Sequence, residues 1–367
     1  MRSPGIYCQK AGAIAMLESY IPQFGTSALC VCTQGTHKRF GEKIAKQNEN
    51  AQYEVRFCTI GGETTNAEIN AVVEDYKENF CDVIIGVGGG KALDTARAAA
   101  DIVSAPLIIV PTVASNDAPC SALAVIHDEQ GAVIELRTTK RNPDVVLVDT
   151  EIIISAPERL FVAGLGDALA TWFEVKACKR SGAMTLAGST TSDIAYTLAQ
   201  LCYKTLIECG RSALYAVQSG FVSDDFDRTV QAAVYLSGTG FESGGVSGAH
   251  AINDGFSACP EASHLYHGEI VGFGTLAMLM LENTDKETIS EVTDFMADVG
   301  LPMTFSQLGI TPTDELLKRV ADVACTQSVM SNMPFAVTPA DVIRAMLKAD
   351  IIGNAKLKEM NDNNEDQ

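Results

Sequence analysis

In the first part of the chain, apolar residues gather in short β-type runs: ALCVC (28–32), YEVRFC (53–58), DVIIGV (82–87), PLIIV (106–110), ALAVI (122–126) and DVVLVD (144–149). Between several of them the apolar positions recur at three- and four-residue spacing, in HKRFGEKIAKQ (37–47), NAEINAVVEDYKEN (66–79) and KALDTARAAADIV (91–103). Strands alternating with helices predict a mostly parallel sheet covered on both faces. After about residue 155 the β-type runs stop. Long Ala-, Leu- and Met-rich stretches such as LFVAGLGDALATWFEVKAC and EIVGFGTLAMLMLEN then predict helices. The pattern therefore reads as an α/β domain over 1–155 and an all-α domain over 156–367. The boundary falls near SAPERL, where Pro157 suits the first turn of a helix. The final KLKEMNDNNEDQ is too polar to pack and is expected to fray.

Composition narrows the partners. With 47% hydrophobic and 20% charged residues, the 367-residue chain has the make-up of a globular protein. Its 27 basic and 46 acidic residues give a net charge of −19, which argues against a nucleic-acid or anionic-membrane surface. Any phosphate must be held by a local site. No stretch approaches a membrane span and the N-terminus carries no signal-peptide pattern, so a cytoplasmic protein is expected. The 11 cysteines form no C-x-x-C pair; Cys30, Cys32, Cys178, Cys202 and Cys259 read as small core residues.

Three places carry candidate chemistry. The first is VIIGVGGGKALDTARAAA (83–100), where an apolar strand runs through glycines into a helix. Glycines let the backbone approach a ligand closely, and the N–H groups opening a helix favour phosphate. The turn lacks the third glycine of GxGxxG, and Ala92 after Lys91 rules out a magnesium-holding Walker A loop. A plain strand-to-helix turn is the competing reading. The second place is PTVASNDAPCSALAVI (111–126), a hydroxyl-rich turn holding one acid, Asp117. Loops at the carboxyl ends of parallel strands form the ligand crevice, so Thr112, Ser115 and Ser121 are within reach of a cofactor there. An ordinary hydroxyl-rich loop is the alternative.

The third place is a ligand supply for a metal. Asp167 lies in an apolar helical stretch among Ala163, Gly164, Ala170 and Thr171, where a carboxylate needs a partner or an ion. Three of the 5 histidines, His250, His264 and His267, fall close together. Asp167 with His250 and His267 gives three ligands and an open position, as in catalytic zinc sites; the same set also suits a two-His-one-carboxylate iron site. His264 is read as an ordinary core or surface histidine.

Taken together, GVGGGKALDTAR, PTVASNDAPCSAL, AGLGDALATWFE, ESGGVSGAHAINDG and HLYHGEIVGFGTL resemble the glycerol dehydrogenase family of the iron-containing (group III) alcohol dehydrogenase superfamily. The resemblance runs from SPGIY to NMPFAVTPADVIRAML. It implies a dehydroquinate-synthase-like architecture: an α/β dinucleotide-binding domain, a helical domain, and a metal and nicotinamide in the cleft between them. It also implies a homo-oligomer, often an octamer. Carried over by motif, the metal ligands are Asp167, His250 and His267. The pyrophosphate turn is Gly88, Gly89, Gly90 and Lys91, with Asp94 in the following helix. Thr112, Ser115, Ser121 and Leu123 match other NAD contacts, His127 stands beside the cofactor, and Asp117 matches the acid beside the polyol.

Three positions depart from the family. Thr33 stands where an acid usually grips the adenosine ribose, which removes the repulsion that excludes a 2′-phosphate and leaves NAD and NADP both open. His127 replaces the usual Tyr, and Asn253 the usual His three residues after a ligand. The expected activity is metal-dependent, NAD-linked oxidation of glycerol to dihydroxyacetone, with zinc or iron as the metal. A related dehydrogenase for 2-hydroxy acids or other diols is the nearest alternative. A lyase of the dehydroquinate-synthase type ranks low, because the metal motifs are nearly free of Lys and Arg. The three departures also raise a non-catalytic metal- and nucleotide-binding protein.

Overall fold

The structure is a computed structural model that describes residues 1–46 and 53–365; Gln47, the end of one expected helix, lies outside them. The chain divides into two compact units. The first comprises Arg2–Ala156 and Gly220–Gly238, and the second Met1, Pro157–Ser219 and Thr239–Gln367.

The first unit contains strands β1 (Ile6–Lys10), β2 (Ser27–Thr33), β3 (Glu54–Ile60), β4 (Val83–Gly88), β5 (Leu107–Pro111), β6 (Leu123–His127), β7 (Val133–Thr138) and β8 (Val145–Asp149). Six of them form a parallel sheet in the order β1-β8-β5-β4-β2-β3. Every residue of β4, β5 and β8 is buried, which is why these runs are continuously apolar rather than alternating. Two strands, β1 and β7, were not anticipated; both are half-buried or exposed and their sequences are mixed. ALAVI does not join the parallel sheet. As β6 it pairs antiparallel with β7 in a separate hairpin.

Local chemistry sets the joints. Thr65 caps the Asn66–Glu78 helix by accepting from the Glu68 N–H, and Glu68 in turn accepts from the Gly61 N–H at 2.8 Å. At the end of β8 the buried Asp149 carboxylate accepts from the N–H groups of Gly12, Ile14 and Glu151. Sheet topology then locates the crevice. β2 leads outward to β3, whereas β4 leads the opposite way to β5, so the direction of winding reverses between β2 and β4. Their carboxyl ends carry Thr33 and Gly88, and ligands of open α/β sheets bind at such a reversal.

The second unit is helical, with an isolated bridge between Met184 and Thr190 as its β-type pairing among the described residues. Its centre is the His267–Leu281 helix, in which every residue from Gly268 to Met280 is buried. Around it pack Glu158–Ser181, Gly248–Ser257 and Pro339–Glu365. The expected fraying of the C-terminal residues is corrected as far as Glu365, to which the last helix runs; Asp366 and Gln367 lie outside the described residues. Lys356 pairs with Asp294 and, at 3.2 Å, with Glu359, which holds a polar segment in helical form. No helix among the described residues is long and apolar enough to cross a membrane.

Candidate active site

The glycine turn sits where β4 passes into the Gly90–Val103 helix. Gly88 has φ +151°, and a Cβ there would lie 2.9 Å from the Ala92 Cβ, so both backbone and space call for glycine. Gly89 is the N-cap and offers no side chain to the first turn, which also holds no acid. Those N–H groups and the positive end of the helix dipole form an anion-binding start. Gly89 and Gly90 are half-buried; Lys91 is exposed and paired with Glu63. At the end of β2, Thr33 accepts from the Thr36 N–H at 3.2 Å, its hydroxyl meets that of Thr36 at 3.1 Å, and no acid takes its place.

The loop after β5 is braced from the same helix. The buried Arg97 pairs with Asp94 and donates to the carbonyls of Ala118 and Leu123 at 2.8 and 2.9 Å. Asp94 accepts from the Val125 N–H at 3.0 Å, and the fully buried Ser121 donates to the Ala118 carbonyl at 3.0 Å. Asp94 and Ser121 thus have their polar atoms engaged in shaping this loop. Thr112 is buried and donates its N–H to the Gly88 carbonyl, while Ser115, Leu123 and His127 are half-buried on the same loop and hairpin. Asp117 is buried and accepts from the Ser237 hydroxyl at 2.7 Å. Ser237 directly follows a π-helical turn, Ala232–Leu236, a local distortion that recurs at functional sites. That contribution from far along the chain was not foreseen.

In the second unit, Asp167, His250 and His267 come together, with one possible ligand atom from each within 4.8 Å of the others. Close helix packing brings them there. A Cβ on Gly166 would lie 2.2 Å from the Gly268 carbonyl oxygen, and one on Gly268 only 1.8 Å from that of Ala163. One on Gly274 would lie 2.6 Å from the Ala249 oxygen. Each ligand is next in sequence to one of these contact positions. His250 Nε2 and His267 Nε2 stand 3.6 and 3.2 Å from Asp167 Oδ1. Two ligands each about 2.0–2.1 Å from a tetrahedral ion stand about 3.3–3.4 Å apart, so the donor set fits a divalent metal. The Asp167 side chain is 1% exposed, His250 17% and His267 41%, which leaves the open side at His267.

Electrostatics agree with this geometry. Burial by itself would raise the Asp167 carboxyl, but the charge of His267 and hydrogen bonds and charge from His250 hold it below the usual carboxylate range. Burial would likewise favour a neutral His250, yet Glu174 and Asp167 lift it well above the ordinary imidazole value. His264 lies apart from the cluster, its Nε2 3.0 Å from the Leu308 carbonyl.

Several neighbours of the cluster were not picked out from sequence. Glu174 is fully buried: Oε1 accepts from the Ser247 and His250 N–H groups at 2.8 and 2.9 Å, and Oε2 lies 2.6 Å from His250 Nδ1. It stands two helical turns after Asp167, on the same face, a spacing that would have pointed to it. Arg159 grips Glu269 through Nε and Nη2 at 2.6 and 2.8 Å, and Glu269 accepts from the Tyr266 N–H, steadying the start of the helix that bears His267. Asn253, already marked in the sequence as a departure from the family, is buried with Oδ1 unpartnered, and its Nδ2 donates to Asp254 at 3.2 Å. Burial raises the Asp254 acid, opposed by the charges of His250 and His267.

The N-terminal residues 4–150 match the profile of the iron-containing alcohol dehydrogenases. Over nearly its full length the chain is similar to curated enzymes. It is 42% identical to the glycerol dehydrogenase of Citrobacter freundii, covering 96% of this chain and 97% of that one. It is 36% identical to the glycolaldehyde reductase of Halobacterium salinarum strain NRC-1, with coverage of 96% and 97%. The solved glycerol dehydrogenase of Schizosaccharomyces pombe superposes with a TM-score of 0.94 at 32% identity, covering 98% of this chain and 92% of that one. By full-length similarity at this level, the chain belongs to the glycerol dehydrogenase family of the iron-containing alcohol dehydrogenases.

Proposed function

We propose that this protein is a metal-dependent, NAD-linked dehydrogenase that oxidises glycerol and related vicinal diols, glycerol giving dihydroxyacetone. The reading is carried by the Asp167, His250 and His267 cluster in a chain 42% identical to a glycerol dehydrogenase over 96% of its length. A divalent ion held by Asp167, His250 and His267, zinc in the first instance and iron as the alternative, would supply Lewis acidity toward a substrate hydroxyl, and a bound nicotinamide would supply the hydride acceptor.

The chain's own residues then have defined tasks. Asp167 and the two imidazoles hold the ion, with His267 on the exposed side where substrate can approach. Gly88, Gly89, Gly90 and Lys91 receive the pyrophosphate at the start of the Gly90–Val103 helix, and Thr112, Ser115, Leu123 and His127 complete the dinucleotide contacts. Asp94 and Ser121 support them by shaping the loop. Asp117, its carboxylate fixed by Ser237, is the acid proposed to hold a polyol hydroxyl. This keeps residues 1–155 as the dinucleotide-binding part, which also carries Asp117, and 156–367 as the metal- and substrate-binding part, although Gly220–Gly238 pack with the first unit. A cytoplasmic homo-oligomer, octameric by family resemblance, completes the proposal.

A second reading is supported at two points. Thr33 in place of an acid favours tolerance of NADP, and the likeness to a glycolaldehyde reductase favours other small diols as substrates. The test follows nicotinamide reduction with glycerol, 1,2-propanediol and lactate, each with NAD and with NADP, alongside elemental analysis. Glycerol with NAD is expected to turn over, to stop on chelation and to recover with zinc. Full activity in verified metal-free protein overturns the proposal, and silence with every substrate despite bound metal favours the non-catalytic alternative.

A further inference from the structure

The hydrogen bonds of Glu174 fix more than its own position. Its side chain is fully buried: Oε1 accepts from the Ser247 and His250 backbone N–H groups, and Oε2 faces His250 Nδ1 at 2.6 Å. Oε1 already takes two backbone donors, so Oε2 is placed to accept from Nδ1–H, and Nε2, the atom turned toward Asp167, is the nitrogen left to offer its lone pair to a metal. We infer that Glu174 is a positioning residue that locks the His250 tautomer able to bind a metal through Nε2. This rests on the proposed metal site and adds to it a residue outside the ligand set.

The same geometry says why an amide fails. In Glu174→Gln the two backbone donors still require an oxygen at Oε1, so the amide nitrogen falls opposite His250 Nδ1. That nitrogen donates. Nδ1 must then accept, the ring proton moves to Nε2, and the metal-facing atom loses its lone pair. Size and backbone contacts are kept, so a purely structural role would leave metal binding intact. Partners that orient ligating histidines are worth about 10- to 100-fold in metal affinity.

The test measures zinc affinity of metal-stripped wild type and E174Q by competition with a chromophoric chelator, with NADH binding as a check that the dinucleotide unit is intact. The expected result is about 10- to 100-fold weaker zinc binding in E174Q and unchanged NADH binding. Wild-type zinc affinity in E174Q overturns the tautomer lock while leaving the metal site standing; failure of wild type to bind zinc overturns both. Should E174Q not fold, the zinc-loaded wild type decides by nitrogen-15 NMR of its histidines. A proton on His250 Nδ1 supports the inference, and one on Nε2 refutes it.

Discussion

Replacing Gly268 by alanine adds only one methyl group, yet it is expected to disable the metal cluster. The new Cβ would lie 1.8 Å from the Ala163 carbonyl oxygen and 2.6 Å from its carbon. Real Cβ atoms keep at least 3.0 Å, so the two helices must part by about 1.2 Å (3.0 − 1.8) at this crossing. Both obstructing atoms are backbone, so no side-chain rotation relieves the clash. Asp167 follows Gly166 on one helix and His267 precedes Gly268 on the other, with Oδ1 and Nε2 3.2 Å apart. Parting the helices carries that separation toward roughly 4.4 Å (3.2 + 1.2), well past the about 3.3–3.4 Å that two ligands of one tetrahedral ion require. A misplacement of about 1 Å costs on the order of 100-fold in rate, and overpacking of this kind about 1–3 kcal/mol of stability. Zinc affinity, kcat with glycerol and thermal unfolding of G268A would be compared with those of G272A, one turn further along the same helix. There the nearest atom is 3.6 Å away, an ordinary contact, so G272A should keep zinc and match or exceed wild-type stability. If G268A binds zinc and turns over like G272A, the close helix crossing does not set the site.

Thr33→Asp should restore the ribose-gripping acid at the end of β2 and lower the NADP-to-NAD ratio of kcat/KM by about tenfold or more, since like charge then opposes a 2′-phosphate. An unchanged ratio would show that position 33 does not face the adenosine ribose. Ser237→Ala removes the 2.7 Å hydrogen bond to Asp117; such bonds to charged groups are worth about 1.5–3 kcal/mol, so kcat/KM for glycerol should fall about tenfold or more while NAD binding holds. In metal-stripped protein, the stability that wild type gains over Asp167→Asn should depend on pH from both sides. Asp167 is held below its ordinary value of about 3.9, so its contribution is present above that pH and lost as pH falls through the lowered native value. His250 is raised above its ordinary value of about 6.5, so its contribution is present below that pH and lost as pH rises through the raised one. Urea unfolding should therefore give the largest difference between about pH 4 and 6.5, and a flat difference would contradict the coupling.

What the chain discloses about its fold follows burial. β4, β5 and β8 announce themselves because both faces are covered, which selects uninterrupted Val, Ile and Leu. β1 and β7 do not, because a strand with exposed residues tolerates Gln, Lys, Glu and Arg and loses its contrast with a loop. The C-terminal segment misleads in the opposite direction. Its polar residues continue a helix whose earlier turns bury Val342, Ala345, Met346 and Ala349 against the helical unit, and ion pairs of Lys356 carry it onward. Polarity marks an exposed surface there, not the end of order.

The candidate metal cluster was legible because its residue types are scarce: three close histidines of the 5 in the chain, and a carboxylate set among alanines and glycines. Glu174 was not, since a glutamate in a long helix is most often solvated and nothing in TWFEV says otherwise. Only its place two turns from Asp167, combined with the approach of the Gly248–Ser257 helix, turns it inward against His250. That approach depends on Gly274 meeting the Ala249 backbone, just as the Asp167–His267 contact depends on Gly166 meeting Gly268. The glycines of AGLGDALA and HLYHGEIVGFGTL thus do for the Asp167, His250 and His267 cluster what those of GVGGGK are proposed to do for a phosphate: by lacking a Cβ they let one backbone come close to another. It follows that alanine scanning of polar residues alone would miss half of what determines the site, and that its most sensitive positions include glycines that touch no ligand.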